Sequence, residues 1–409
     1  MPGNKTFQSW FKLALPAVLA VAGIGTLGAL TYLSLGAFAQ ISDLPEFYAP
    51  MKMIIAGSGS QIYVIPELSR IEQFYYPSAT RAVVTLFTPP FGLPYFLPLA
   101  ALPSNLAPAV WKFFLAASLF IGIAFLRAAF KLSFAATCWL TAVVCFSGCA
   151  YEALRIDQVS TPIFMCFSAA IWALKNNRPY LAAFALSGLL CKPQEILPFI
   201  IFLVGARRYK TVGALTIIGL VLMAVAYLLI GKDGFVNYSE LMKNSITDTR
   251  YLVSDISCTL RGQLYRFFPE HRLESHYISL AVLVPCLAAC LWIGDKVRRS
   301  DRWLEYGLVA VMPLGIVSAL YCYYYDLLIL VPTALLLMTV FEPELPPLGI
   351  LSGMLGGLAF MLPFSIFIHF NWIMVGHAPN PHFFVLLAFA IGSLTFIGGK
   401  IKAEKLKAI

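Results

Sequence analysis

Leu13 to Ala39 contains no charged side chain and exceeds the ~20 apolar residues that a helix needs to cross a bilayer. In hydrocarbon every backbone N–H and C=O must find its partner inside the protein, so such a stretch crosses as a helix or within a closed barrel. Barrel strands are shorter and alternate in polarity; this stretch does neither. Apolar runs recur near 13–39, 82–102, 108–127, 132–150, 158–174 and 179–206, then near 211–231, 277–294, 303–322, 327–341, 348–369 and 383–399. Only 12% of the residues are charged, against ~25% in a soluble domain. The expectation is an all-α polytopic membrane protein, one domain over residues 1–409, with about 11–12 transmembrane helices, some half-length or re-entrant. The first run is too long for the apolar core of a signal peptide and reads as retained.

Basic residues gather beside the runs, at Lys5 and Lys12, Arg127 and Lys131, Lys175 to Arg178, Arg207 to Lys210, Lys296 to Arg302 and Lys400 to Lys407. Each cluster is short and borders a span, so the clusters mark cytoplasmic edges and not a nucleic-acid surface. The two long polar connections, 40–81 and 232–276, then fall together on the opposite, outer side. Amphipathic helices are expected in both, one of them over Met53 to Gly57 and lying along the membrane face. One conflict remains. The clusters flanking 179–206 both belong inside, which a re-entrant hairpin broken at Lys192-Pro193 satisfies. The proline-rich run Pro89 to Pro103 is a second irregular or partial crossing.

Several residues at the outer side suit chemistry. Asp43 and Glu46 stand three apart just beyond the first span, where a carboxylate can take a proton from a substrate hydroxyl. The alternative is that Asp43 merely caps the helix opening at Leu44-Pro45. Lys192 interrupts an apolar run, and either Glu195 neutralises it or it holds an anionic group such as a lipid phosphate. Glu152 and Arg155 read as a structural pair, leaving Asp157-Gln158 freer. Tyr321 to Tyr325 suit an interfacial aromatic belt, which does not account for the unpaired acid Asp326. The second long connection adds Arg250, Asp255, Arg261, Arg266, His271 and His276, of which Arg261 and Arg266 can hold phosphate or anchor the loop to headgroups. His369, His377 and His382 read as interfacial.

The cysteines are scattered through apolar runs, apart from Cys258 in a polar connection, and neither a disulfide framework nor a zinc site is indicated. No glycine-rich phosphate loop, HExxH or GxSxG is present, which disfavours a nucleotide-using enzyme. No metal site is expected.

Taken in order, Asp43-Leu44-Pro45-Glu46-Phe47-Tyr48, Ile55-Ala56-Gly57 with Tyr63, Thr88-Pro89-Pro90-Phe91, Pro98 to Pro103, Asp157-Gln158, Lys192-Pro193-Gln194 and Tyr321 to Leu327 resemble the GT-C glycosyltransferases, specifically family 87. Asp157 stands where that family has glycine, Leu320 where relatives have proline, and Tyr324 where some carry histidine. The resemblance implies a GT-C bundle and transfer of a sugar, mannose-like by preference, from a polyprenyl-phosphate carrier to a lipid or glycan acceptor. It makes Asp43 the catalytic base. Glu46, Tyr48, Tyr63, Asp157, Gln158, Tyr325 and Asp326 would bind substrate, and Lys192, Arg261 and Arg266 the donor phosphate. The partners are then the lipid-linked sugar, the acceptor and membrane lipids, with no nucleic acid and no cofactor. The site would lie at the outer face of a bacterial inner membrane, with Asp43 in a groove open to lipid and water. A transporter or flippase is the rival; it predicts internal repeats, and none is evident.

Overall fold

The structure is a computed structural model that describes residues 3–37, 42–77, 86–247, 257–339 and 380–407. Arg250, Asp255, His369, His377 and the run 348–369 lie outside the described residues. Every regular element among the described residues is helical. Five helices are long and apolar enough to cross a membrane: α1 (Gly3–Ala37), α4 (Ala107–Phe130), α10 (Tyr209–Thr247), α12 (Arg272–Val297) and, here numbered α15, Pro381–Lys407. The protein is thus an all-α polytopic membrane protein.

Two expected spans are not single helices. The run 132–150 is split into α5 (Phe134–Cys145) and α6 (Gly148–Arg155), each opened by a serine: Ser133 accepts from Ala136 N at 3.2 Å and Ser147 from Ala150 N at 3.1 Å. In the run 82–102 the described residues, from 86 on, form no α-helix. Pro90, Pro94 and Pro98 recur at every fourth position, so each ring would clash with the carbonyl that an α-helix places beneath it. Pro90–Ala101 takes the tighter 3-10 form instead. Its two ends are tied to one connection: Thr88 O accepts from Tyr63 Oη, in the turn before Ile65, and Leu102 O from Tyr48 Oη, both at 2.8 Å. The segment dips inward and returns, as Tyr95 Oη donating to Ser187 Oγ at 2.8 Å shows.

The hairpin at 179–206 is present. Helix α7 (Ser160–Lys175) runs to one end of the bundle, α8 (Pro179–Ser187) turns back, and after a 3-10 turn and Lys192, α9 (Pro193–Gly205) returns. Both flanks meet the same partners. Lys175 pairs with Glu305 of α13 (Trp303–Ser318), Arg207 lies 4.0 Å from Asp295 of α12, and Arg208 stacks 3.9 Å over Trp303. Lys175 also lies 4.8 Å over Phe130 at the close of α4, so the basic clusters gather at this end. Close crossing of α9 and α12 depends on two glycines: a Cβ on Gly205 would sit 2.1 Å from Leu291 O, and one on Gly294 2.4 Å from Phe202 O.

The two long connections meet at the other end. Asn237 Nδ2 donates to Ser60 O at 2.9 Å, and the rings of Tyr63 and Tyr238 are 4.9 Å apart. Helix α2 (Leu44–Ile55) differs from expectation. Of the stretch expected as a surface helix, Met53 and Ile54 are buried in the last turn of α2 while Ile55 to Gly57 are exposed, and Leu44 to Met51 before them are buried without exception. The amphipathic outer layer is α3 (Ile65–Tyr75), which covers α2; Gly57, at φ 79°, makes the turn out of α2. At the same end, α11 (Leu260–Phe267) follows Cys258, whose N–H donates to Cys322 O at 2.8 Å.

Candidate functional site

The site grows from the elbow between α6 and α7, residues Ile156 to Ser160. Asp43 is fastened to it twice: its own N–H donates to Ile156 O at 2.7 Å, and Gln158 Nε2 donates to its Oδ2 at 2.5 Å. Asp43 makes no side-chain capping bond to α2; Ser42 Oγ takes Leu44 N at 3.1 Å. The carboxylate is therefore turned away from the helix it precedes. Capping does not explain it.

Two residues further along the elbow, Ser160 Oγ donates to Asp326 Oδ1 at 2.6 Å, and Lys192 Nζ, at the apex of the hairpin, reaches the same oxygen at 2.5 Å. Asp326 Oδ2 accepts from Tyr323 N at 3.1 Å at the start of the 3-10 segment Tyr324–Leu330, which leads into α14 (Val331–Thr339). Asp326 is not an unpaired acid. Glu195 lies 3.9 Å from Lys192, so the closer partner is Asp326. The ammonium also stands 4.9 Å from the Tyr325 ring centre.

Asp157 has a positive φ of 64°, the left-handed region that favours glycine. Its side chain is held by Ser42 Oγ at 2.6 Å and Lys112 Nζ at 2.9 Å, and its carbonyl accepts from Trp111 Nε1 at 2.9 Å. Lys112 also donates to Leu154 O and Arg155 O, closing the end of α6. Burial pushes the Asp157 carboxyl above its ordinary range, against the pull of Lys112 and Ser42. Glu152 and Arg155 form the expected pair, at 2.6 Å.

Acids crowd the same place. Burial first, then Asp43 and Glu72, push Glu46 well above the usual carboxylate range. Glu72, on the covered face of α3, is pushed up to about 8 by burial and by Asp43. Across the site, Arg261 and Arg272 share one ring, 4.8 and 5.1 Å from the centre of Tyr265. They are 5% and 9% exposed, and Arg261 Nη2, Arg272 Nε and Arg272 Nη1 are buried without a hydrogen-bond partner. Arg266 is buried beside them on α11. Tyr323 connects the two sides: its hydroxyl is raised by burial, Asp326, Glu46 and Asp43 and lowered by Arg261.

The structure thus brings together Asp43, Glu46, Asp157, Gln158, Lys192, Tyr325 and Asp326, with Arg261 within electrostatic reach through Tyr323. Tyr48 and Tyr63 are placed otherwise; their hydroxyls hold the ends of the proline-rich dip. His382, expected at the interface, is buried against Tyr324 with ring centres 4.6 Å apart. Asp43 does not stand in an open groove, for it is 4% exposed. The reason is the sinking of α2 beneath α3 and the proline-rich dip. A groove of about 380 Å³ opens instead at the Gly231 kink of α10, between Tyr227, Phe235 and Lys243.

Sequence reasoning passed over Lys112, Ser160, Glu72 and Arg272. Glu72 carried a legible signal, an acid four residues after Leu68 on the apolar face of α3. Among the described residues no group of three or more His, Cys, Asp or Glu is arranged to hold a metal.

No curated protein and no solved structure matches the chain. The model of Glycosyltransferase family 87 matches residues 87–318, more than half of the chain, spanning the elbow, the hairpin and the arginine cluster. Asp43 and Asp326 flank the matched segment. A membrane-embedded helical protein with this match has its family settled: the chain belongs to glycosyltransferase family 87.

Proposed function

We propose that this glycosyltransferase moves a sugar, mannose-like by preference, from a polyprenyl-phosphate carrier to a lipid or glycan hydroxyl, with inversion, at the outer face of a bacterial inner membrane. The observation that carries the proposal is the Gln158–Asp43 contact at 2.5 Å, which aims the carboxylate into the shared site and away from helix capping.

In this reading Asp43 takes the acceptor's proton as the acceptor oxygen bonds to the anomeric carbon. The bond from that carbon to the carrier phosphate breaks, and the phosphate leaves with the electron pair. Base assistance of this kind contributes ~10²–10⁴-fold. A phosphate leaving group needs positive charge more than a proton, and Arg261, Arg272 and Arg266 supply it from buried positions where charge acts strongly. Lys192, engaged with Asp326, holds the Tyr325 side of the site in place and acts on the substrate through it. Because arginines meet the leaving charge, the reaction proceeds without a metal, and chelation by EDTA leaves the rate unchanged.

Asp43 is covered, so the acceptor reaches it by displacing the side chains packed over it. Purified wild type and Asp43→Asn, given polyprenyl-phosphate mannose and membrane lipid extract, test the reading. It expects transfer by the wild type and its loss in a normally folded variant; full transfer by Asp43→Asn sinks it.

A further inference from the structure

Asp43 takes a proton at each turnover and must then lose it, yet it is buried. Something has to carry the proton out. Helix α3 packs on α2, the helix that opens one residue after Asp43, and its only buried residues are Leu68 and Glu72, one turn apart on the face toward α2. Tyr48 of α2 meets Tyr75 and Tyr76 edge-on at 5.3 and 5.5 Å, which sets the last turn of α3 over the first turns of α2. An acid thus occupies a position where an amphipathic helix ordinarily places an apolar residue. Glu72 Oε1 is buried with no hydrogen-bond partner, while the next residue, Gln73, is exposed.

We propose that Glu72 is the outlet through which the proton taken up by Asp43 returns to solvent. The inference rests on Asp43 being the base.

The proton count closes. Before reaction the pair holds one proton, on Glu72, because burial and the Asp43 charge favour it there. After Asp43 has accepted the acceptor's proton, the pair holds two and Asp43 is neutral. Glu72 has then lost the Asp43 charge, the second of the two causes that held its proton after burial, and releases that proton to water. The Asp43 proton passes to Glu72, restoring the starting distribution. The other groups facing Glu72 are consistent with this order. From α2, Glu46 is itself pushed up, first by burial, and Lys52 is directed to Ala100 O at 2.8 Å. On α3 itself, Glu67 and Arg70 pair with each other at 3.0 Å on the exposed face.

The test compares the first turnover with steady-state turnover for wild type, Glu72→Gln and Asp43→Asn, using polyprenyl-phosphate mannose as donor. Glu72→Gln is expected to complete a first turnover at the wild-type rate and then slow at least roughly tenfold. Glu72→Ala should regain steady-state rate when imidazole is added as a mobile proton carrier. An equal loss in both phases makes Glu72 a merely structural residue and overturns the outlet, as does an unchanged steady state. Asp43→Asn must lose the first turnover itself; if it does not, the base assignment fails, whatever Glu72 does.

Discussion

Lys192 Nζ lies 2.5 Å from Asp326 Oδ1, joining the apex of one broken helix to the start of another 134 residues away. Both side chains are largely withdrawn from solvent. Removing one member of such a pair strands the other charge at a cost of ~3–5 kcal/mol, whereas replacing both by apolar residues is often neutral. Lys192→Met and Asp326→Leu should each lower the thermal midpoint in detergent sharply, and the double variant should recover most of the loss. Recovery of folding without recovery of transfer would separate the pair's structural role from its role at the site.

Gln158 orients Asp43 and no other carboxylate among the described contacts. Gln158→Ala leaves the acid in place but unaimed, and an error of about 1 Å at a reacting group can cost ~10²-fold. The expected result is a fall in kcat of roughly 10–100-fold with KM for the donor little changed, read from initial rates.

Asp157 sits at φ 64°, where glycine is at ease and other residues lose about 1 kcal/mol. Asp157→Gly alone relieves the backbone yet abandons Lys112, so it should destabilise. Asp157→Gly combined with Lys112→Met should be more stable than Asp157→Ala with Lys112→Met, and thermal unfolding of the two double variants decides.

Arg272 and Arg261 present unpartnered N–H groups beside one tyrosine ring. A hydrogen bond from a charged group is worth ~1.5–3 kcal/mol, so Arg272→Ala should raise the donor KM roughly 10–100-fold. Inorganic phosphate and polyprenyl phosphate should both inhibit the wild type, and both should inhibit Arg272→Ala less. Unchanged inhibition would move the phosphate elsewhere.

Glu72 gives stability a pH signature. Its pKa is about 8 in the folded protein against an ordinary 4.5, so the folded state binds more protons between those values. Stability should therefore fall as pH rises from about 4.5 through about 8 and then level. Glu72→Gln should flatten that slope. Thermal midpoints across the range, with one buffer ionic strength, check the sign.

Much of the architecture was legible because lipid permits so little. Length and charge placement were enough to mark a polytopic helical membrane protein, to put both long connections at one end, and to require a hairpin at Lys192-Pro193. The proline-rich run was legible as irregular although its hydropathy matches a span, because Pro90, Pro94 and Pro98 recur at every fourth position and an α-helix cannot hold them. Asp43 stands out in the sequence by its position after the first span. Its burial does not, because the cover of α2, the helix α3, comes from later in the connection. Pairings such as Lys192 with Asp326, or Ser160 with the same acid, join residues more than a hundred positions apart, and no local pattern encodes them.

The elbow from Ile156 to Ser160 gives Gln158 to one acid and Ser160 to the other, with a single residue between them. The separation of the two carboxylates is accordingly a property of that short piece of main chain and not of the helices that carry the acids. A residue inserted into the elbow should therefore move the two acids apart, whereas exchanging either acid for its amide should leave their spacing as it is.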